Sequence, residues 1–146
     1  MIPFFMLVVV FAICRILGLA GVFFFSEWQH GLRVSLAAMF LLTASAHWGK
    51  RRIDLLRMVP PALPKPEMWL TFTGIAEIAG AIGLVWEPTT KAASAGLALM
   101  LVAMFPANVR AARQRLTIDG RQVPGLAMRT LLQIIFLGAV LAAGWC

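Results

Sequence analysis

Glu77 stands in the apolar run Thr71-Phe72-Thr73-Gly74-Ile75-Ala76-Glu77-Ile78-Ala79-Gly80-Ala81-Ile82-Gly83, where no other residue carries a charge. A carboxylate in such surroundings must be protonated, paired or hydrated. Placing one in a membrane-spanning helix costs about 2.5–3.5 kcal/mol on insertion scales, so it is a functional candidate by default. The chemistry that suits it is proton binding. Arg15 occupies a comparable place in the first apolar run, and the two are expected at similar depth. An intramembrane charge pair between Arg15 and Glu77 follows as an expectation, and loss of either partner should cost about 3–5 kcal/mol. Such a pair serves a functional site or simply locks helix packing, and the sequence leaves both open.

A second group of polar residues collects near one end of the apolar runs. His47 closes the second run, Asn108 follows Phe105-Pro106-Ala107 in the fourth, and Arg129 and Gln133 lie one turn apart on the fifth. Chain direction places all four at one level, so they are expected to line one polar ligand pocket. His47 exchanges a proton near neutral pH, and Arg129 holds an anion or a carbonyl oxygen. The plainer alternative is a set of interface residues that bond loop backbone and tie helices together.

Several chemistries are absent from the pattern. His30 and His47 fall at opposite ends of one apolar run, which argues against a bis-histidine haem site within the chain. There is no phosphate-binding glycine loop, hydrolase elbow or HExxH motif, and no spacing typical of a metal site. Cys14 and Cys146 form no CxxC, and their expected depths differ by ~18 Å at 1.5 Å per helical residue, too far for a disulfide. They read as two apolar thiols. No self-contained redox or hydrolytic machine, and no catalytic residue, is legible.

The elements that position these residues follow from composition. Of 146 residues, 61% are hydrophobic and only 13% charged, whereas soluble domains run near 45–50% and about 25%. That places the chain in the membrane class. The net charge of +7 therefore marks loops at a membrane face and not a nucleic-acid surface. Five apolar stretches are expected to span the bilayer, roughly residues 2–25, 32–48, 68–86, 92–109 and 126–145, all as helices because an isolated strand leaves its backbone unpaired in lipid. The first has no basic leading region and no small-residue cleavage pattern, so it reads as a mature helix and not a signal peptide.

The connections carry their own signals. Between Gly49 and Val59, charges alternate with apolar residues at helical spacing, which predicts a short interfacial helix. Pro60, Pro61, Pro64 and Pro66 then enforce a stiff, extended link. Asp119-Gly120 predicts a tight turn, with a small hairpin around it. Lys50, Arg51, Arg52, Arg57, Lys65, Arg110, Arg113, Arg115 and Arg121 fall in the second and fourth connections, against Arg33 and Lys91 at the first and third. The positive-inside rule puts the basic connections in the cytoplasm, the N-terminus inside and the C-terminus outside. Trp28, Trp48, Trp69, Trp86 and Trp145 all fall near span ends, as interfacial tryptophans do.

Ala46-His47-Trp48, then Met58-Val59-Pro60-Pro61-Ala62-Leu63-Pro64-Lys65-Pro66, then Thr73-Gly74-Ile75-Ala76-Glu77 with Gly80, Gly83 and Leu84, then Phe105-Pro106-Ala107-Asn108-Val109 occur in this order. Their succession resembles the DoxX family of small bacterial integral membrane proteins. The resemblance runs from about Leu32 to Trp145, with Trp48 where members often carry Phe. It implies an antiparallel four-helix transmembrane bundle over residues 32–146, preceded by one extra N-terminal transmembrane helix and its outer loop over residues 1–31. It also implies the bacterial inner membrane and an accessory membrane subunit of an oxidoreductase, binding quinone or a lipid-like molecule, with a redox protein partner at the basic cytoplasmic face. The family supplies no established catalytic residue, and the cysteine pair of thiol oxidoreductases is missing here. Two other readings stay open: a small proton-coupled carrier that uses Glu77, and a membrane scaffold without a ligand. A bundle this small is also able to form a homo-oligomer.

Overall fold

The computed structural model describes residues 1–146 as six α-helices and one two-stranded hairpin. Helix α1 spans Ile2–Leu19, α2 Trp28–Ser45, α3 Arg52–Met58, α4 Pro66–Val85, α5 Thr90–Arg113 and α6 Leu126–Trp145. Strands β1 (Thr117–Ile118) and β2 (Arg121–Gln122) pair antiparallel. Prolines in the first turns of α1 and α4 start these helices without penalty, because their missing N–H groups have no partner in a first turn. The hairpin turns on Asp119 and Gly120, both at positive φ (53° and 73°), the conformation that an Asp-Gly turn supplies. The short helix α3 and the hairpin fall where residue chemistry places them, but the proline link is not extended: it turns, with Leu63 N donating to Pro60 O at 3.0 Å and Lys65 at φ 53°.

Helix α2 is the centre of the packing. It lies against α1, α4 and α6, while α5 packs on α4 and α6. The largest buried side chains of α2 are Leu36, Met39 and Phe40. They meet Leu84 of α4, Leu97 of α5 and Val140 of α6 in one apolar core. Polar side chains stitch the helices at fixed heights. Arg33 Nε donates to Ala143 O (2.9 Å) and Gln29 Nε2 to Cys146 O, so the start of α2 meets the end of α6. Ser94 Oγ donates to Val140 O (2.7 Å), tying α5 to α6. Interhelical hydrogen bonds of this kind contribute about 0.6–2 kcal/mol in an apolar medium. Small residues make the contacts close: a Cβ on Gly144 would lie 2.5 Å from Ser94 Cβ.

Outside this core the surface is apolar. Val9 of α1, Ile82 of α4, Leu99 of α5 and Ile134 of α6 are 54%, 62%, 72% and 63% exposed. A soluble protein does not leave the mid-helix side chains of four helices in water. Four helices are long and apolar enough to cross a membrane: α1, α4, α5 with the turn before it, and α6.

One expectation is met in part and another changes. Five apolar spans are expected and four helices qualify by their own length and composition; α2 does not. Gln29, His30, Arg33, Ser35, Thr43 and Ser45 dilute its hydropathy, and several of them bond to protein backbone inside the structure. The first helix also ends at Leu19 and not near Phe25. The chain turns there through Gly21 (φ 99°) into a 3-10 turn at Phe23–Phe25.

Candidate functional site

Glu77 lies on the face of α4 turned to α2 and is buried to 4% exposure. Thr43 of α2 meets it, with Oγ1 2.8 Å from Oε2. The same hydroxyl is 2.9 Å from the carbonyl of Phe40. His47, in the turn that follows α2, faces the other carboxylate oxygen, with Nε2 3.7 Å from Oε1. His47 is 3% exposed. Its seat is made by Gly74, one turn before Glu77: a Cβ there would come within 2.9 Å of His47 Cβ and 2.8 Å of the Trp48 ring. Any side chain at position 74 would push the imidazole away from α4.

The partners fix the protons. His47 Nδ1 lies 2.7 Å from Leu70 O. A carbonyl only accepts, so Nδ1 carries a hydrogen and donates it. Thr73 Oγ1 donates to the same carbonyl at 3.0 Å and stands 3.4 Å from Nδ1. Nε2 then faces Glu77 in one of two ways. It carries a second hydrogen and pairs as imidazolium with a carboxylate, or it presents a lone pair to a protonated carboxyl. Both arrangements hold one proton between the two residues and are neutral overall. Thr43 serves either: its hydroxyl donates to Oε2 when Glu77 is ionised and equally when the carboxyl proton sits on Oε1 and faces Nε2. The site is built to keep one exchangeable proton in an apolar interior.

Arg52 at the start of α3 connects this pair to the outside. Its Nη1 donates to His47 O (2.7 Å), and Nη2 donates to Thr71 Oγ1 (3.1 Å) and, at 3.4 Å, to Glu67 O. Beside it opens a groove of about 450 Å³ lined by Arg52, Glu67, Met68, Thr71, Phe72 and Ile75. Its lining combines the polar Arg52, Glu67 and Thr71 with the exposed apolar side chains of Met68, Phe72 and Ile75 on α4.

The expected Arg15–Glu77 pair is not formed. Arg15 lies one turn before the end of α1, and its Nη1 donates to Phe25 O (3.3 Å) and Ser26 O (3.1 Å). Because α1 ends at Leu19, these carbonyls come within reach of the guanidinium, whereas Glu77 sits in the middle of α4. The expected four-residue pocket also divides. His47 joins Glu77 between α2 and α4. Asn108, Arg129 and Gln133 remain together between α5 and α6, with Arg129 Nη1 donating to Asn108 Oδ1 and Gln133 Nε2 to Leu101 O (2.7 Å). Gln133 reaches α5 in the turn where Pro106, lacking an N–H, interrupts the helix's own ladder. Cys14 is buried and Cys146 exposed, and both are free. No group of three or more His, Cys, Asp or Glu stands close enough to hold a metal ion.

Sequence reasoning missed Thr43, Arg52, Thr71 and Thr73. Thr43 was within reach, since it lies four residues before His47, and Thr73 lies four residues before Glu77. Arg52 carried no signal among its basic neighbours.

These features define a helical protein with four helices long and apolar enough to cross a membrane and a buried carboxylate–imidazole pair between α4 and the turn that follows α2. The chain belongs to the family described as Domain of unknown function (DUF8561), which matches residues 36–143 and so leaves α1 outside the matched part. No curated protein and no solved structure matches the chain.

Proposed function

We propose that this chain is a DoxX-like protein of the bacterial inner membrane, an accessory membrane subunit that binds a quinone or similar lipid-like molecule for a redox partner. The observation that carries this reading is the groove between α3 and α4, whose Arg52 also donates to the backbone carbonyl of His47. Arg52 and Thr71 offer donors to a ring oxygen, Phe72 and Ile75 offer an apolar wall, and the apolar tail of such a molecule would continue into lipid. The proton shared by His47 and Glu77 is the kind of reserve that a quinone taking up electrons and protons draws on.

The reading includes five spans, with α2 as the fifth, shielded from lipid by α1, α4 and α6 and free to carry polar residues for that reason. The four helices α2, α4, α5 and α6 form an antiparallel bundle, with α1 as the extra span at its edge. The basic connections around α3 and the hairpin face the cytoplasm, where a redox protein would dock, and the C-terminus lies outside. The test is solvent extraction and mass spectrometry of the protein purified in mild detergent. A stoichiometric quinone or lipid-like molecule is expected in wild type, and its loss in Arg52→Gln and Phe72→Ala. A well-folded sample without one overturns the reading.

The His47–Glu77 pair favours a second reading, a small proton-coupled carrier. It predicts solute uptake into liposomes driven by a pH gradient and abolished in Glu77→Gln. A scaffold without a ligand is what remains if both fail.

A further inference from the structure

Arg129 is a second charge held where α5 and α6 meet, and unlike Glu77 it has no counter-charge. It lies in the first turns of α6 and is half-buried. Nη1 donates to Asn108 Oδ1 on α5, while Nε is buried and bonded to nothing. The acids of the chain are engaged or distant. Asp54, Glu77, Glu87 and Asp119 pair with Arg57, His47, His30 and Arg51. Glu27 and Glu67 belong to the starts of α2 and α4. A guanidinium with one neutral partner keeps its charge uncompensated in an apolar setting. The adjoining connection adds Arg110, Arg113, Arg115 and Arg121 against the single Asp119, so the local field is positive and attracts an anion.

Position narrows the class of anion. Asn108 and Arg129 lie a few residues inside the ends of α5 and α6, about 5–8 Å along the helices at 1.5 Å per residue. With α5 and α6 spanning the bilayer, that is the depth of lipid headgroups at the edge of the apolar layer. Elsewhere around α6, Met128, Leu131 and Ile134 are exposed and apolar, so the helix carries an outward apolar face on a different side from Arg129. Guanidinium groups bind phosphate oxygens through paired N–H donors. We propose that Arg129, oriented by Asn108, binds the phosphate of an acidic phospholipid at the α5–α6 edge. This site is separate from the groove beside Arg52 and does not depend on the quinone reading.

Native mass spectrometry of the full chain in mild detergent tests it, with phosphatidylglycerol and phosphatidylcholine offered in equal amounts. Wild type is expected to retain the acidic lipid in preference by about tenfold, because phosphatidylcholine offers the same phosphate but cancels its charge with its own ammonium. Arg129→Gln is expected to lose that preference. Asn108→Asp places an internal carboxylate on the intact guanidinium, so it should displace the lipid without loss of fold, and it decides the matter if Arg129→Gln does not fold. A preference that survives in Asn108→Asp overturns the proposal. So does displacement of the lipid by inorganic phosphate at low concentration, which would make this a site for a free anion.

Discussion

Nε2 of His47 faces Oε1 of Glu77 across 3.7 Å, while Nδ1 of the same ring is committed to the carbonyl of Leu70 at 2.7 Å. The second bond turns a simple contact into a proton-holding device. With Nδ1 fixed as a donor, the only freedom left to the pair is on which side of the gap its remaining proton resides. Thr43 accommodates both choices, because its hydroxyl has an acceptor in Phe40 O and another in Glu77 itself.

The two residues should therefore be energetically coupled. In a double-mutant cycle of His47→Ala and Glu77→Gln, the coupling energy is expected at about 0.5–3 kcal/mol, the range for residues in one polar network. Thermal unfolding in detergent measures it. A cycle that closes additively would mean that the pair does not interact.

Arg15 and Glu77 should behave in the opposite way. Arg15 is bonded to the Phe25 and Ser26 carbonyls, so Arg15→Met and Glu77→Gln share no partner. Their effects on stability should add within ~0.5 kcal/mol. A large favourable coupling would restore the ion pair that the structure does not contain.

Gly74→Ala tests the seat of His47. The new methyl would stand 2.8 Å from the Trp48 ring and 2.9 Å from His47 Cβ, so ring and imidazole must move. Overpacking of this kind costs about 1–3 kcal/mol, and the melting temperature should fall. Infrared difference spectra should show the Glu77 carboxyl band altered as well. Gly96→Ala is the control, since nothing lies within 4 Å of its Cβ; it should be neutral or stabilising by up to ~1 kcal/mol through helix propensity.

The proposed orientation has a probe already in the chain. Cys146 is exposed and Cys14 buried, so a membrane-impermeant thiol reagent should label Cys146 alone, and in intact spheroplasts if the C-terminus lies outside. Labelling only after the membrane is opened would reverse the orientation.

The helices were legible because their causes are local. Apolar runs of sufficient length, prolines at helix starts and in the link before α4, and the Asp119-Gly120 turn act within a few residues of the chain, and α6 falls at the residues 126–145 expected of it. The end of α1 was less legible. Phe23–Phe25 continue the apolar run, and only backbone geometry around Gly21 breaks it. Helix α2 is ambiguous for the reverse reason. Its polar residues weaken it as a lone span, yet they are the ones that reach α4 and α6.

The candidate site shows the same division. Glu77, His47 and Arg129 stood out by residue type, because charge and imidazole in apolar sequence are rare enough to notice without a structure. Their partners did not, because partnership depends on the rotation of each helix about its axis and on how closely two backbones approach. Gly74 admits His47 to the face of α4, and the early end of α1 turns Arg15 away. By itself the sequence determined that this is a helical protein with apolar spans and a few charges that must be satisfied among them. Only the tertiary structure decided that Glu77 is satisfied by His47 and Thr43, and that Arg129 is left with a neutral amide. Those outcomes are set by packing between helices distant in sequence, and no spacing along one helix records them.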